Sequence, residues 1–372
     1  MPHSTTVSCP CWPQVLRSLD ATSAIFISQR RHLVEKIEQM LLTISIPTFN
    51  RAGYLGETLA RLIAQVPENR LSEVEILVAD NASDDGTEEM CANYATKHDG
   101  LLRYIRHPQN LGFDRNLDSL FQKAQGRYVL LVGDDDYPLD GALETLLELI
   151  ASEKGAPVLT YSYHRLIDNE TDASVDLEEE IFRPPQGRVE EVVVYSSGVE
   201  LLRLVNAPLN AGLTGTLFLR AAWLASDRNS YMGTNFLHLA VGYQVAARHP
   251  ICIVYRPLFV VRVSGNHRWP TNGELYFGLL KAGRPLVELY PTDIIARRRQ
   301  KDWAVSRAIA TYRCAAPQDK RLVQVMRDSL DKIRLGYWLL DLPLLLLPSF
   351  MYQFAGCLKR KRIWFASDSS SK

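Results

Sequence analysis

From Met40 to about residue 160 the chain alternates short apolar runs with amphipathic stretches, and that rhythm constrains its folding more than any other feature. "LTISI" (42–46) reads as a buried strand, and "AGYLGETLARLIAQ" as a helix with apolar residues at helical spacing. "VEILVAD" (74–80) is the next strand, followed by "GTEEMCANYATKH", whose first turn is acidic, as a helix N-terminus favours. "LLRYIRH" (101–107) and "GRYVLLVG" (126–133) supply two more strands, with the helix "FDRNLDSLFQKA" between them. "GALETLLELIAS" and then "PVLTYSY" complete the unit. Such alternation predicts an α/β fold, with helices covering a doubly wound, mainly parallel sheet. Sheets of this kind bind ligands beyond the carboxyl ends of their strands.

Here those ends are polar: Pro47-Thr48-Phe49-Asn50-Arg51, then Asp80-Asn81, and last Asp134-Asp135-Asp136. Three consecutive carboxylates repel one another, so they suit either a solvated turn or a seat for a divalent cation. Three polar ends converging on one sheet edge favour the seat. Mg²⁺ or Mn²⁺ is commonly held by one or two carboxylates, with phosphate oxygens completing the shell. A cation there would offset the repulsion and polarise a diphosphate leaving group. Asp80 suits an acceptor for a base N–H or a ribose hydroxyl, while Arg51, Arg115 and the amides around Gly112 suit phosphate. The chain has no G-x-x-x-x-G-K-[ST] loop, no G-x-G-x-x-G after the first strand and no G-x-S-x-G elbow. These absences weigh against P-loop chemistry, dinucleotide dehydrogenases and α/β-hydrolases.

"LTISIPTFNRAGYLGETL", "VEILVADNASDDGT", "NLGFDRN" and "GRYVLLVGDDDYPLDGAL" resemble, in that order, the donor-binding half of family-2 glycosyltransferases of the GT-A fold. The resemblance covers about residues 40–145. It implies transfer of a sugar from a nucleotide-diphosphate sugar to an acceptor hydroxyl, with inversion at the anomeric carbon. On it, Pro47, Thr48, Asn50 and Arg51 line the nucleotide, Asp80 recognises the base, and Asn110, Gly112 and Arg115 belong to a donor loop. The spacing from that loop to Asn116 is shorter than in many members. Asp134 to Asp136 look like the D-x-D metal motif for Mn²⁺ or Mg²⁺, with Asp134 and Asp136 as ligands, Asp136 foremost. Asp135 is grouped with the catalytic residues.

An inverting transfer needs a base for the acceptor's proton. Members of the family often place a Glu-Asp pair ahead of a helix in the second half, where this chain reads "YMGTNFLHLAVGYQVAARHP", with Thr234 and Asn235 instead. His238, one turn on, has a suitable ordinary pKa and ranks above Asp227, although a histidine in an apolar helix is more often a core residue. His267, in "VRVSGNHRWPTNGELY", is a candidate third metal ligand on a lid. The acidic stretch 168–180 reads as an exposed insertion.

The expected organisation is an extension over 1–39, poorly ordered or not native, a nucleotide-sugar half over 40–160, an acceptor half over 161–270 and a helical region over 271–372. Within the last, the apolar run 335–358, interrupted by Asp341, Pro343 and Pro348, suits a shallow membrane anchor with Lys359-Arg360-Lys361-Arg362 facing anionic headgroups. A buried helix pair is the competing reading. The 42 basic and 42 acidic side chains balance, which speaks against general nucleic-acid binding. Six scattered cysteines without zinc or redox spacing, and no secretory signal, suit the cytoplasm, at the inner face of the cell membrane. The acceptor expected is a glycan or a lipid-linked glycan. Competing functions are a sugar-nucleotide nucleotidylyltransferase, which would carry a G-x-G-T-R-like loop absent from "PTFNRAG", and a non-catalytic nucleotide-sugar-binding scaffold.

Overall fold

A computed structural model describes residues 40–151, 158–168, 192–195, 199, 212–263, 278 and 281–289. The expectations for 1–39, for His267 and for the run 335–358 with its basic end lie outside these residues, as does nearly all of the acidic stretch 168–180.

Strands β1 (Leu42–Thr48), β2 (Val74–Asp80), β3 (Leu102–Arg106) and β4 (Tyr128–Leu131) run parallel in the order β3-β2-β1-β4. Every residue of β1 and β2 is buried, as befits strands covered on both faces. Successive side chains alternate between the two faces. Leu42, Ile44 and Ile46 of β1, with Val74, Ile76 and Val78 of β2, join one core. Leu77 and Ala79 of β2, with Val129 and Leu131 of β4, join the other.

Helices α1 (Ala52–Gln65), α2 (Thr87–Lys97), α3 (Phe113–Lys123) and α4 (Ala142–Ala151) follow β1, β2, β3 and the short strand β5 (Tyr137–Pro138). The first core takes Leu55, Leu59 and Leu62 of α1, Cys91 of α2, and Leu143, Leu146 and Ile150 of α4. The second takes Leu117, Leu120 and Phe121 of α3, together with Trp223 of helix α5 (Arg220–Ala225) and most of α6 (Leu237–Ala246). Trp223 lies flat on Phe121 at 3.7 Å and donates its indole N–H to Asp118, so the aromatic face and its polar atom are both satisfied. The sheet is therefore doubly wound.

Beyond β4 the pairing changes. Strand β8 (Thr216–Leu219) runs antiparallel to β4, and β6 (Leu159–Asp168) antiparallel to β8. β9 (Ile251–Val263) lies parallel to β6 and carries β5 and β7 (Val192–Tyr195) antiparallel on its other side. The parallel expectation thus holds through β4, and the second half joins through antiparallel pairs. One more helix, α7 (Arg284–Leu289), follows. Among the described residues no helix is long and apolar enough to cross a membrane.

The chain builds β2 and β3 to one side of β1, then crosses to place β4 on the other. Strand order reverses between β1 and β4, and the loops leaving their carboxyl ends diverge around a crevice. Residues 47–51 and 133–136 flank it.

Candidate active site

The β4 loop is held in shape from three directions. Thr58 of α1 donates one buried hydroxyl to the backbone carbonyls of both Asp134 and Asp136, at 3.1 and 2.8 Å. Gly133 donates its N–H to Thr214 Oγ1 at 2.8 Å, and a Cβ on Gly133 would meet Asp136 Oδ2 at 2.7 Å. The loop therefore needs the glycine, helix α1 and the turn before β8, one support from each half of the chain.

Its three carboxylates divide between two directions. Asp134 Oδ2 accepts Thr48 Oγ1 at 2.8 Å, a bond that spans the crevice between β1 and β4. Asp134 Oδ1 and Asp135 Oδ2 then converge on one nitrogen, Nη1 of Arg51, at 3.3 and 2.5 Å. Asp136 turns inward, taking the Thr214 hydroxyl on Oδ2 and the Arg262 backbone N–H on Oδ1 at 3.0 Å. Burial raises the Asp134 pKa to about 6, against the opposing charge of Arg51. Burial, then the charge of Asp135, raises that of Asp136 to about 7. Burial works against the Arg51 charge, but Asp134 and then Asp135 hold its pKa above the ordinary value.

Arg262, missed in the sequence, is the buried brace of this loop. Besides its N–H bond to Asp136 it donates Nη1 to the Asp135 carbonyl at 3.0 Å and Nη2 to Glu57 Oε2 at 2.8 Å. Its guanidinium lies 5.0 Å from the centre of the Tyr137 ring. The signal was a lone arginine at the end of an apolar strand, "LFVVRV" (258–263), where a buried cation needs a partner.

Next to the crevice, Asp80 is 0% exposed. Its Oδ1 accepts the N–H and the hydroxyl of Ser83 at 2.9 and 2.5 Å, and Oδ2 accepts the Tyr104 hydroxyl at 2.6 Å. Burial and then Asp80 push the Tyr104 hydroxyl's pKa far up, so it stays a donor. The carboxylate expected to meet the base is thus turned into the loop that follows β2. Ser83 Oγ in turn accepts the Asn50 N–H at 2.9 Å, and Asn50 Oδ1 accepts the Asp84 N–H at 2.9 Å. Asn50 and Ala82 both hold left-handed backbone, with φ of 53° and 68°. Such conformations persist where their surroundings over-determine them, and these two loops clamp each other.

Of the remaining expected donor residues, Pro47 is buried, whereas Asn110, Gly112 and Arg115 are exposed. Asn110 Oδ1 accepts Asn81 Nδ2 and the Gly112 N–H, both at 2.8 Å, which ties the donor loop to the end of β2. Phe49, between buried Thr48 and Asn50, is 44% exposed and presents an aromatic ring at the same edge.

On the acceptor side, Asp114 of α3 is buried and receives the N–H groups of Thr234, Asn235 and Leu237 at 2.7, 2.9 and 3.2 Å. Of these donors Leu237 opens α6, while Thr234 and Asn235 lie in the segment leading into it, so one half of the chain anchors the start of a helix of the other. Asn235 is exposed and left-handed, with φ of 61°. His238 lies in the first turn of α6, is 4% exposed and has Phe236 at 6.3 Å, ring to ring. The structure therefore gathers Thr48, Arg51 and Asp134 to Asp136 at one point and Asn50, Asp80, Asn81 and Asn110 beside it. His238 sits buried in the apolar helix α6. Asp227 is exposed and its carboxylate accepts the Ser230 N–H at 3.2 Å.

Comparison with known proteins agrees with this arrangement. The sequence model of the family described as Glycosyl transferase family 2 matches residues 43–191. Abequosyltransferase RfbV of Salmonella typhimurium is 28% identical over 235 residues, covering 60% of this chain and 67% of that protein. The GalNAc(5)-diNAcBac-PP-undecaprenol beta-1,3-glucosyltransferase of Campylobacter jejuni is 29% identical over 107 residues, covering 29% of this chain and only 33% of that one. The crystal structure of TarS residues 1–349 from S. aureus in complex with UDP superposes with a TM-score of 0.56 at 15% identity, over 79% of this chain and 81% of that one. That likeness shows the fold, the GT-A arrangement that the four motifs imply. Those motifs lie along one edge of the sheet, and the family's own model spans them, so residues 43–191 are similar to glycosyl transferase family 2.

Proposed function

We propose that the protein transfers a sugar from a nucleoside diphosphate sugar to an acceptor hydroxyl with inversion, in the synthesis of a cell-surface or lipid-linked glycan. One observation carries the reading: two carboxylates, Asp134 and Asp135, aim at one cationic point in the crevice between β1 and β4. This donor set fits a hard divalent cation held by two protein oxygens with the diphosphate completing its shell. Asp134 and Asp135, which converge on the exposed side chain of Arg51, would hold it, while Asp136, turned inward to Thr214 and Arg262, would fix the loop. Mn²⁺ or Mg²⁺ bound there would neutralise charge on the departing diphosphate.

The chain's own groups do the rest. Thr48 orients Asp134, and the exposed ring of Phe49 offers a face for a base. Asn81 and Asn110 hold the donor loop so that Gly112 and Arg115 face the phosphates. Asp80 acts by shaping the loop that Ser83 and Asn50 share. Histidine is the side-chain type whose unperturbed pKa lies near neutrality, and His238, on the acceptor side, takes the acceptor's proton once the buried end of α6 is reached by substrate. The printed names of the two relatives support sugar transfer, one of them to an undecaprenol-linked glycan, and the TarS complex supports a UDP-type donor. A surface anchor at 335–358 would bring the enzyme to such an acceptor. Membrane pelleting that survives moderate salt would support that anchor.

A second reading, binding without turnover, is favoured by the lack of a carboxylate at Thr234-Asn235. Release of nucleoside diphosphate from UDP-, GDP-, dTDP- and CDP-sugars, with and without Mn²⁺, separates the two. A metal-dependent signal from one donor, lost in Asp135→Ala, is expected. Donor binding with no release under any condition would favour the binding protein, and no binding at all would return the aspartates to an acidic turn.

A further inference from the structure

Arg51 stands in an unusual place for a phosphate-binding residue. Its backbone is fixed at the start of α1, where its carbonyl accepts the Leu55 N–H at 3.0 Å. Its side chain is 46% exposed, so the guanidinium can swing while the backbone stays. Yet Nη1 is seated between Asp134 Oδ1 and Asp135 Oδ2, the same two oxygens that converge for a cation. A guanidinium nitrogen seated between the two oxygens and a divalent ion at the same point exclude each other, because both are cations and would occupy one place.

From the shared oxygens we infer that Arg51 is an internal competitor of the metal: it fills the cation seat until metal and nucleotide arrive together, then turns to the diphosphate. The inference rests on the metal-dependent reading above and adds a direction to it. The aspartates keep a counter-charge in the empty-handed enzyme, which limits the cost of holding three carboxylates together. The diphosphate supplies the partner that Arg51 loses, since its fork suits phosphate as well as carboxylate. Metal and nucleotide then favour each other's binding through one side chain, a reciprocal coupling. Asp136 stays outside this exchange, as Thr214 and Arg262 hold it.

The test is binding to the full chain, with no turnover needed. Mn²⁺ alone is titrated against wild type, Arg51→Gln and Arg51→Lys, following free Mn²⁺ by electron paramagnetic resonance. UDP and GDP are then titrated at saturating Mn²⁺ by calorimetry. Removing a partly exposed ion pair that competes for the seat should tighten Mn²⁺ by roughly three- to ten-fold in Arg51→Gln. The same variant should bind the preferred nucleoside diphosphate about ten-fold more weakly, the loss of one charge-assisted contact. Arg51→Lys keeps the charge and should stay near wild type for Mn²⁺. Opposite signs in one variant cannot come from misfolding. Unchanged or weaker Mn²⁺ binding in Arg51→Gln, with wild type binding Mn²⁺, overturns the competition alone. If neither protein binds Mn²⁺ with or without nucleotide, the metal-dependent reading falls, and the competition with it.

Discussion

Burial of Asp136 beside Asp135 makes its ionisation unfavourable, because the charge loses water and gains a like-charged neighbour. Its folded pKa of about 7 lies above the ordinary 3.8, so the folded state holds a proton that the unfolded chain has released. Stability from this group is full below about pH 4 and is lost as pH rises towards 7. Asp136→Asn keeps the shape, and the Thr214 hydroxyl can turn from donor to acceptor. The variant should therefore gain on wild type between pH 5 and pH 8 in paired urea unfolding curves without metal; a difference that does not grow with pH would refute the assignment. Tyr104→Phe makes the complementary case. It strips one donor from the enclosed Asp80 and should cost about 1–3 kcal/mol in the same assay, with donor binding weakened as the 81–85 loop loosens. At this scale the residue types at the strand ends were readable, but their directions were not. Ser83 is close in sequence to Asp80. Tyr104 reaches it because β2 and β3 pair Val78 with Tyr104, which puts the tyrosine diagonally across from Asp80. Likewise nothing in "GDDDY" tells that the third aspartate turns towards Thr214 and Arg262, 78 and 126 residues away.

The elements of the first half were legible because each declares itself locally. β1 and β2 are apolar runs of strand length, and α1 and α3 carry apolar residues at helical spacing. The antiparallel joining of β4, β8 and β6 was not, since it depends on which distant strand returns to an open edge. The capping of α6 was equally hidden. Its own N-terminal turn offers no side-chain cap by the usual sequence signs apart from Thr234, whose hydroxyl takes the Phe236 N–H at 3.1 Å. The remaining donors meet Asp114, some 120 residues earlier, in the turn that follows the donor loop. Asp114→Ala should thus act as a helix-cap deletion and a buried unsatisfied-donor defect at once, costing roughly 2–4 kcal/mol. It should also raise proteolytic cleavage around 232–240, an outcome that a loss confined to α3 would not give. His238 shares this turn, so its role is read separately: His238→Gln should cut transfer by about 10²-fold or more if it is the base, and leave donor binding intact.

Across the whole molecule the crevice is a seam as well as a site. Thr48 of β1 and Asp134 of the β4 loop close it, while Thr214, in the turn before β8, and Arg262 of β9 reach in from the second half. A ligand lodged there should consequently stabilise both halves and not only the loops it touches. The Arg262 amide is the reporter, since it donates to Asp136 yet lies on β9, with β6, β8 and β4 between it and β1. Where exposure of that amide requires the loop to open and ligand to leave, saturation at 100 times Kd adds about 2.7 kcal/mol to the opening. Hydrogen exchange of the peptide covering Arg262 should then slow by up to about 100-fold with Mn²⁺ and the preferred nucleoside diphosphate, alongside peptides over 47–51 and 133–136. Slowing confined to the first half would mean that the β4 loop opens independently of β9. In that case Arg262 braces the fold without being coupled to the donor, and the two halves share a sheet but not a site.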